Sequence, residues 1–262
     1  MYVISKNFNV VDECLQISDH LNCSVYSETK SILDDLLSAF KEFYTPKEDN
    51  RESFFSILKW MQVDQKFTCD SDNYFSLNSL DLGVFLKKRN GQSLSLAILA
   101  KYLADSVNLK VGILMLPSDS LISVSSGSST SYFSFFNFNE IPYSSLKSLI
   151  ISEKGLFCNH KFYFKPLNKV DVLIRYILEI KSIAVLNKMH EISFQAINIL
   201  INWQGRSANW IKERAFIAQE IGCTSFAKQE LENLIEQDPD SPFLDFLRYR
   251  LYEMRYQFNI YH

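Results

Sequence analysis

The sequence predicts a mostly helical α+β protein with a small antiparallel sheet. Three observations carry this prediction. Glycine and proline are scarce, at 7 and 6 of 262 residues, which favours long helices with few forced turns. Apolar residues recur with a helical period of about 3.6 residues over most of the chain. Between Lys110 and Phe136 the pattern changes to short apolar and alternating runs, which are typical of strands.

The N-terminal part of the chain, residues 10–63, predicts three helices. The second has the clearest apolar stripe and ends before Thr45-Pro46, because the residue before a proline disfavours helical backbone. Residues 64–76 are polar and predict a loop. A short helix is expected around residues 80–86, ending near the following glycine. A longer helix then begins at Ser93.

The strand region follows this longer helix. Residues 110–116 form a buried-strand candidate and residues 121–125 form another. The segment 126–130, which contains Gly127, predicts a hairpin turn into a third strand at residues 131–136. A small antiparallel sheet packed against the preceding helix accounts for these segments together.

From Val170 onward the chain is predicted to be helical again. The helix pair over residues 208–236 matches the tetratricopeptide pattern, whose repeat is about 34 residues. Gly222 stands at its tight turn, Ala227 where the paired helices approach each other, and Pro239 at its exit. We therefore predict two domains, residues 1–168 and residues 169–262, the second built from helical hairpins with a terminal capping helix.

The bulk composition indicates a soluble cytoplasmic protein. Lys plus Arg number 27 and Asp plus Glu number 30, a formal net charge of −3, so neither nucleic acid nor an anionic membrane is an expected partner. There is no apolar run long enough to span a membrane. The five cysteines and four histidines are scattered along the sequence, so we expect free thiols, no metal site and no cofactor.

The helix that begins at Ser93 and runs into the first strand is the most informative segment. Cysteine-hydrolase folds place a nucleophilic cysteine at the start of such a helix, with a histidine and an aspartate on the following strands. In this chain those three places hold Ser95, Asp119 and Ser134. The pattern therefore indicates the core of a cysteine-hydrolase fold without its catalytic groups.

Two segments carry a resemblance to a known family. Arg89-Asn90-Gly91 runs into Ser95-Leu96-Ala97, and residues 215–242 form the tetratricopeptide-like hairpin. In combination they resemble the bacterial SirB family, which implies a transglutaminase-like core, of the cysteine-proteinase type, followed by tetratricopeptide-like helical repeats. The resemblance covers most of the chain.

The departures from that family concern its catalytic groups. Where the family has Gly-Ile-Pro-Ile-Ser-Leu, this chain has Gln92-Ser93-Leu94 after the glycine and loses the proline. The family's Pro-Gly-His-Phe corresponds to residues 117–120, with Asp119 in place of the histidine. Its Asp-Pro-Phe-Asn corresponds to residues 134–137, with Ser134 in place of the acid. The resemblance therefore implies that none of the three catalytic groups survives.

We accordingly expect a non-catalytic, protein-binding scaffold rather than an enzyme. The alternative is a hydrolase or acyltransferase that uses Ser95 with a base not yet located, such as His160. A serine hydroxyl needs an adjacent base, and Asp119 is poorly suited to that role if it is an exposed carboxylate with a pKa near 4. Partner-binding candidates are large aromatic residues of the C-terminal part: Trp203, Trp210, Tyr256, Phe258 and Tyr261.

Overall fold

The computed structural model of the chain describes residues 8–155, 158–237, 239–240 and 242–256, together with Tyr2 and Ile4. The chain divides into two compact units, with the boundary between Tyr176 and Ile177. The N-terminal unit begins at Lys6, and the C-terminal unit starts at Ile177 and includes Tyr2 and Ile4.

The N-terminal unit is an assembly of helices against a small sheet. In chain order its first elements are α1 (Val10–His20), α2 (Tyr26–Phe43), α3 (Asn50–Lys59), β1 (Thr68–Cys69), α4 (Leu77–Leu80), α5 (Leu82–Lys88), β2 (Asn90–Gly91) and α6 (Ser93–Ser106). Its later elements are β3 (Val111–Met115), β4 (Ser120–Ser126), β5 (Ser129–Ser134), β6 (Asn139–Ile141), α7 (Tyr143–Lys154) and α8 (Lys169–Leu186), which continues into the C-terminal unit. Helix α3 continues into a π-helical turn at Trp60–Asp64, and a 3₁₀ helix covers His160–Phe164.

Helix α6 is the centre of this unit. Its residues from Ser93 to Ala100 are all buried, and α1, α3, α4, β3 and β4 pack around it. A helix that is apolar on all sides is expected only inside a core. The candidate catalytic positions at its first turn therefore lie on a buried, central element.

Strands β3 to β6 form an antiparallel meander in sequence order, with Ile113 paired to Ile122 and Ile122 to Phe133. The three predicted helices, the helix from Ser93 and the first strands are confirmed. The paired parallel strands β1 and β2, strand β6 and helix α7 were not predicted. Strands β1 and β2 have two residues each, too few to show a periodic pattern.

Gly91 shows why the Arg-Asn-Gly segment is tightly constrained. A Cβ atom at Gly91 would lie 2.5 Å from Cδ2 of Phe85 and 2.8 Å from the carbonyl oxygen of Ser79. The preceding Arg89 ends α5 in the left-handed region, with φ of 60°. Only glycine fits between these neighbours, so this segment enters α6 along one defined path.

The C-terminal unit consists of the end of α8 and of α9 (His190–Gln204), α10 (Ala208–Glu220), α11 (Thr224–Gln237) and α12 (Leu244–Tyr256). Gly222, with φ of 82°, makes the turn between α10 and α11, and Ala227 is fully buried between helices. The predicted helices are confirmed, whereas their assignment as tetratricopeptide-like repeats stays a prediction.

Candidate functional site

Ser95, the expected nucleophile position, points into the core. It lies in the first turn of α6 and has no exposed surface. Its hydroxyl donates a 2.5 Å hydrogen bond to the carbonyl oxygen of Leu80 in α4. The hydroxyl of Ser95 is therefore part of the packing between α4 and α6.

Ser93, which the sequence analysis did not select, occupies the position facing the sheet. Its Oγ accepts a 3.2 Å hydrogen bond from the backbone N–H of Ser120 at the start of β4, and it interacts with the carboxylate of Asp119. Residues two positions apart on a helix point in directions that differ by about 200°, so Ser93 and Ser95 face opposite sides of α6. The sequence pattern that begins α6 at Ser93 could have indicated this residue as a candidate. The side of the helix that faces Asp119, however, depends on tertiary packing.

Asp119 is buried, so the expectation of an exposed carboxylate with a pKa near 4 is wrong. Its residue is 9% exposed, and burial is the main cause that raises its pKa to about 6. Hydrogen bonding to Ser93, the backbone N–H of Ser120 and Ser134 lowers the pKa in part, while the charge of Glu153 raises it. The N–H of Ser120 lies 2.7 Å from Oδ1.

Ser134 reaches the same carboxylate from the end of β5. The pairing of Ile122 with Phe133 brings the start of β4 beside the end of β5. The hydroxyl of Ser134 is buried and accepts a 3.2 Å hydrogen bond from the N–H of Phe136. The structure thus joins two of the three predicted positions, Asp119 and Ser134, with Ser93 and Ser120 into a buried serine–aspartate cluster, and leaves Ser95 outside it.

The loop of residues 70–76 lies beside this cluster. Gln92, the residue before Ser93, is 1% exposed, and its side-chain Nε2 donates to the carbonyl of Tyr74. Its Oε1 is buried and has no hydrogen-bond partner within the described ranges. The hydroxyl of Tyr74 also donates to the carbonyl of Ser118, at 3.4 Å. Tyr74 therefore connects the loop to the segments on both sides of the cluster.

Cys69 lies close enough to the serine–aspartate cluster for the charge of Asp119 to affect the pKa of its thiol. Burial raises the pKa of this thiol to about 12, with smaller contributions from Asp119 and Asp70. The thiolate is the reactive form of cysteine. At neutral pH Cys69 is protonated, and its surroundings favour that form.

His160, the base named in the alternative hypothesis, begins the 3₁₀ helix after α7 and is partly buried. Its backbone N–H donates to the carbonyl of Cys158. Within the described part of the chain, no histidine is a hydrogen-bond partner of Ser93, Ser95, Asp119 or Ser134.

The described residues show neither a cluster of metal ligands nor a membrane-spanning helix. They contain no group of three or more His, Cys, Asp or Glu side chains arranged to hold a metal ion. No described helix has the length and apolar character that a membrane span requires.

The aromatic partner-binding candidates lie in the C-terminal unit. Trp203 in α9 and Trp210 in α10 are both partly buried, and Trp210 packs against the apolar cluster of the helices. Tyr256 is the last residue of α12, and its side chain lies outside the described structure. Phe258 and Tyr261 also lie outside the described residues.

The class of protein follows from the fold of the N-terminal unit. A buried helix whose first turn faces an antiparallel sheet, with the polar positions on that turn and on two adjacent strands, is the arrangement of cysteine-hydrolase folds. A family profile described as the transglutaminase-like superfamily matches residues 27–177. The chain belongs to the transglutaminase-like superfamily.

Several bacterial proteins are similar to almost the whole chain. A "UPF0162 protein" of Vibrio cholerae is 21% identical over 242 residues, which is 91% of this chain and 90% of the relative. A protein of the same name from Haemophilus influenzae is 21% identical over 248 residues, 94% of this chain and 91% of the relative. One from Buchnera aphidicola is 23% identical over 202 residues, 76% and 74% of the two chains. No solved structure matches significantly.

Proposed function

We propose that this protein is a non-catalytic scaffold: a transglutaminase-like unit that has lost its cysteine, histidine and aspartate, joined to helices that bind a partner protein. The supporting observation is the environment of Ser95. Its hydroxyl is fully buried and donates to a backbone carbonyl. A nucleophile has to reach a substrate and needs a base to take its proton. In the described structure Ser95 has no exposed surface, and no basic side chain is among its hydrogen-bond partners.

The Ser93–Asp119 pair supports the same proposal. A general base has to be paired with a group that can reach a substrate. Ser93 has no exposed surface and Asp119 is 9% exposed. The hydrogen bond between the two satisfies the buried carboxylate, and it does not place either group where a substrate could contact it.

The second part of the proposal, binding of a partner protein, concerns the C-terminal helices. Stacked helical hairpins expose extended surfaces on which other proteins bind. The α10–α11 hairpin has the glycine turn and the small residue at the helix contact that such hairpins use. The partner is expected to be a protein, contacted by the aromatic residues of this unit, such as Trp203.

The test combines turnover and capture with the intact chain. Purified wild-type protein is assayed for hydrolysis of a p-nitrophenyl ester and for incorporation of a fluorescent amine into casein, and in parallel it is used to capture proteins from native lysate. We expect no turnover above the protein-free rate, and the same captured proteins for wild type and Ser95→Ala. Turnover that disappears in Ser95→Ala, or in His160→Ala, would establish the hydrolase or acyltransferase alternative instead.

The capture arm has its own control. Trp203→Ala is compared with Phe55→Ala, which changes an exposed aromatic residue on α3 of the N-terminal unit. Capture that fails with Trp203→Ala and persists with Phe55→Ala supports binding by the C-terminal helices. Equal loss in both variants, or no specific capture by wild type, contradicts it.

A further inference from the structure

The surface above the serine–aspartate cluster exposes aromatic side chains in close contact with one another. Phe75 is 66% exposed and Phe136 is 52% exposed. The rings of Tyr74 and Phe136 are nearly parallel, at 17°, with centroids 6.5 Å apart, and Phe75 lies edge-on to Tyr74 at 5.6 Å. Large exposed aromatic residues in one place are typical of binding surfaces.

Carboxylates accompany these aromatic residues. Asp70 and Asp72 belong to the same loop, and neither forms an ion pair in the described structure; Asp70 accepts from the N–H of Asn73 and Asp72 from the hydroxyl of Ser71. A third carboxylate, that of Glu153, accepts a 2.6 Å hydrogen bond from the hydroxyl of Ser118, the residue whose carbonyl accepts from Tyr74. We call the loop residues Asp70, Asp72, Tyr74 and Phe75, together with Phe136, the acidic–aromatic patch.

Basic residues are missing from the chain segments that form this patch. The sequence has no Lys or Arg between Lys66 and Lys87, and none between Lys110 and Lys147. The negative charge of the patch is therefore not neutralised from within its own segments. Such a surface attracts a positively charged group.

A separate observation also indicates a ligand that donates hydrogen bonds. Oε1 of Gln92 is a buried acceptor without a partner in the described part of the protein, although buried polar atoms nearly always have one. The amide group of Gln92 lies directly under the patch, because its Nε2 bonds to the carbonyl of Tyr74. An ammonium or guanidinium group would supply N–H donors there and would also interact with the aromatic faces, which attract cations within about 6 Å of the ring centroid.

We propose that the acidic–aromatic patch binds a basic segment of a partner polypeptide, with an arginine or lysine side chain against Tyr74 and Phe136 and an adjacent apolar side chain on Phe75. This surface belongs to the N-terminal unit, whereas the helices proposed to bind a partner belong to the C-terminal unit. The transglutaminase-like unit is then a recognition module whose binding surface lies beside the serine–aspartate cluster.

The first step of the test selects ligands without assuming their sequence. A phage-displayed library of random 12-residue peptides is panned on the intact chain, and enriched peptides are synthesised for Kd measurement by fluorescence anisotropy. We expect enriched peptides to contain Arg or Lys next to an apolar residue, and their affinity to fall as NaCl is raised, because exposed charge pairs are screened.

The second step locates the binding surface by mutation. Phe136→Ala and Asp72→Asn change exposed side chains, so both variants are expected to fold. We expect Phe136→Ala to weaken peptide binding about tenfold or more and Asp72→Asn to weaken it and reduce its salt dependence. Tyr249→Ala, which removes an exposed aromatic side chain from α12 in the C-terminal unit, should leave the Kd unchanged.

Three results would overturn this proposal: no enrichment over a protein-free control, enriched peptides without basic residues, or an unchanged Kd in both patch variants. These results concern a purified chain and a selected peptide. They are distinguishable from failure of the proposed scaffold function, which is decided by turnover and by capture with Trp203→Ala.

Discussion

At the scale of single residues, Asp119 shows how burial changes the chemistry of a side chain. Its carboxyl group is surrounded by the hydroxyls of Ser93 and Ser134 and by the N–H of Ser120, yet burial dominates and raises its pKa to about 6. The serine–aspartate cluster therefore keeps a buried carboxyl hydrogen-bonded, and no cationic group of the described residues contributes to its pKa. The effect of burying this carboxyl on stability depends on pH.

The first prediction concerns this pH dependence. The folded-state pKa of Asp119 is raised above 3.8, the ordinary pKa of an aspartate side chain. The folded protein therefore binds a proton at this carboxyl more tightly than the unfolded chain does. The contribution of Asp119 to the free energy of unfolding is full below pH 3.8 and is lost as the pH rises through about 6. At about 1.4 kcal/mol per pKa unit, the loss is on the order of 3 kcal/mol. Asp119→Asn should remove this loss.

The measurement is urea unfolding of wild type and Asp119→Asn across this pH range. The difference between the two free energies of unfolding should shift in favour of Asp119→Asn as pH rises. Asp72→Asn serves as the control, because Asp72 is exposed, and its difference from wild type should stay nearly constant. Parallel pH profiles for wild type and Asp119→Asn would show that the carboxyl ionises equally in both states.

At the scale of elements, the helices of the C-terminal unit are held by one buried charge network as well as by apolar packing. Arg214 of α10 donates to Oε2 of Glu230 of α11 at 2.9 and 2.6 Å, and to Asn198 of α9 at 2.8 Å. Arg206 donates to the other oxygen of Glu230 at 3.0 Å. The side chains of Arg214 and Glu230 are 10% and 7% exposed, so three consecutive helices depend on this pairing.

The second prediction is that Glu230→Gln lowers the free energy of unfolding by about 3 kcal/mol or more, because it leaves the buried guanidinium of Arg214 without a counter-charge. The control is Asp105→Asn, which breaks the exposed pair between Lys101 and Asp105 and should cost less than about 1 kcal/mol. Chemical unfolding of both variants decides the comparison, and equal small losses would count against the network.

The third prediction tests the contact between α10 and α11. Ala227 is fully buried in this interface, so Ala227→Asp places an unpaired carboxylate between two helices and should destabilise the protein by several kcal/mol. Gln229→Asp introduces the same side chain at an exposed position of α11 and should have a small effect. Circular dichroism during thermal unfolding measures both, and a folded, partner-binding Ala227→Asp protein would contradict the hairpin assignment.

At the scale of the whole molecule, the five cysteines report on burial in both units. All are free thiols. Cys14 is fully buried and its pKa is raised well above the usual value by burial, while burial raises the pKa of Cys23 and Cys69 to about 12. Cys223, at the turn before α11, is exposed. Their reactivities should therefore differ widely in the folded protein.

The fourth prediction is an order of thiol modification. With a thiol reagent such as dithionitrobenzoate at neutral pH, Cys223 should react first, and Cys14 only after the N-terminal unit unfolds, because a protonated buried thiol is unreactive. Cys223→Ser should remove the fast phase. Rapid modification of Cys14 in native protein, identified by mass spectrometry, would show that the N-terminal unit opens without unfolding.

The sequence by itself determined most of the helices, the order of the main strands and the residue types at the expected catalytic positions, because these follow from local periodicity and from the spacing of residues along the chain. Only the tertiary structure decided which side chains meet. Ser93 rather than Ser95 faces Asp119, because residues two positions apart on a helix point to nearly opposite sides. The packing of α6 decides which of the two sides faces Asp119. The burial that raises the pKa of Asp119, and the position of the Gln92 amide oxygen, which lacks a partner among the described residues, arise from chain segments far apart in sequence, so no local pattern encodes them.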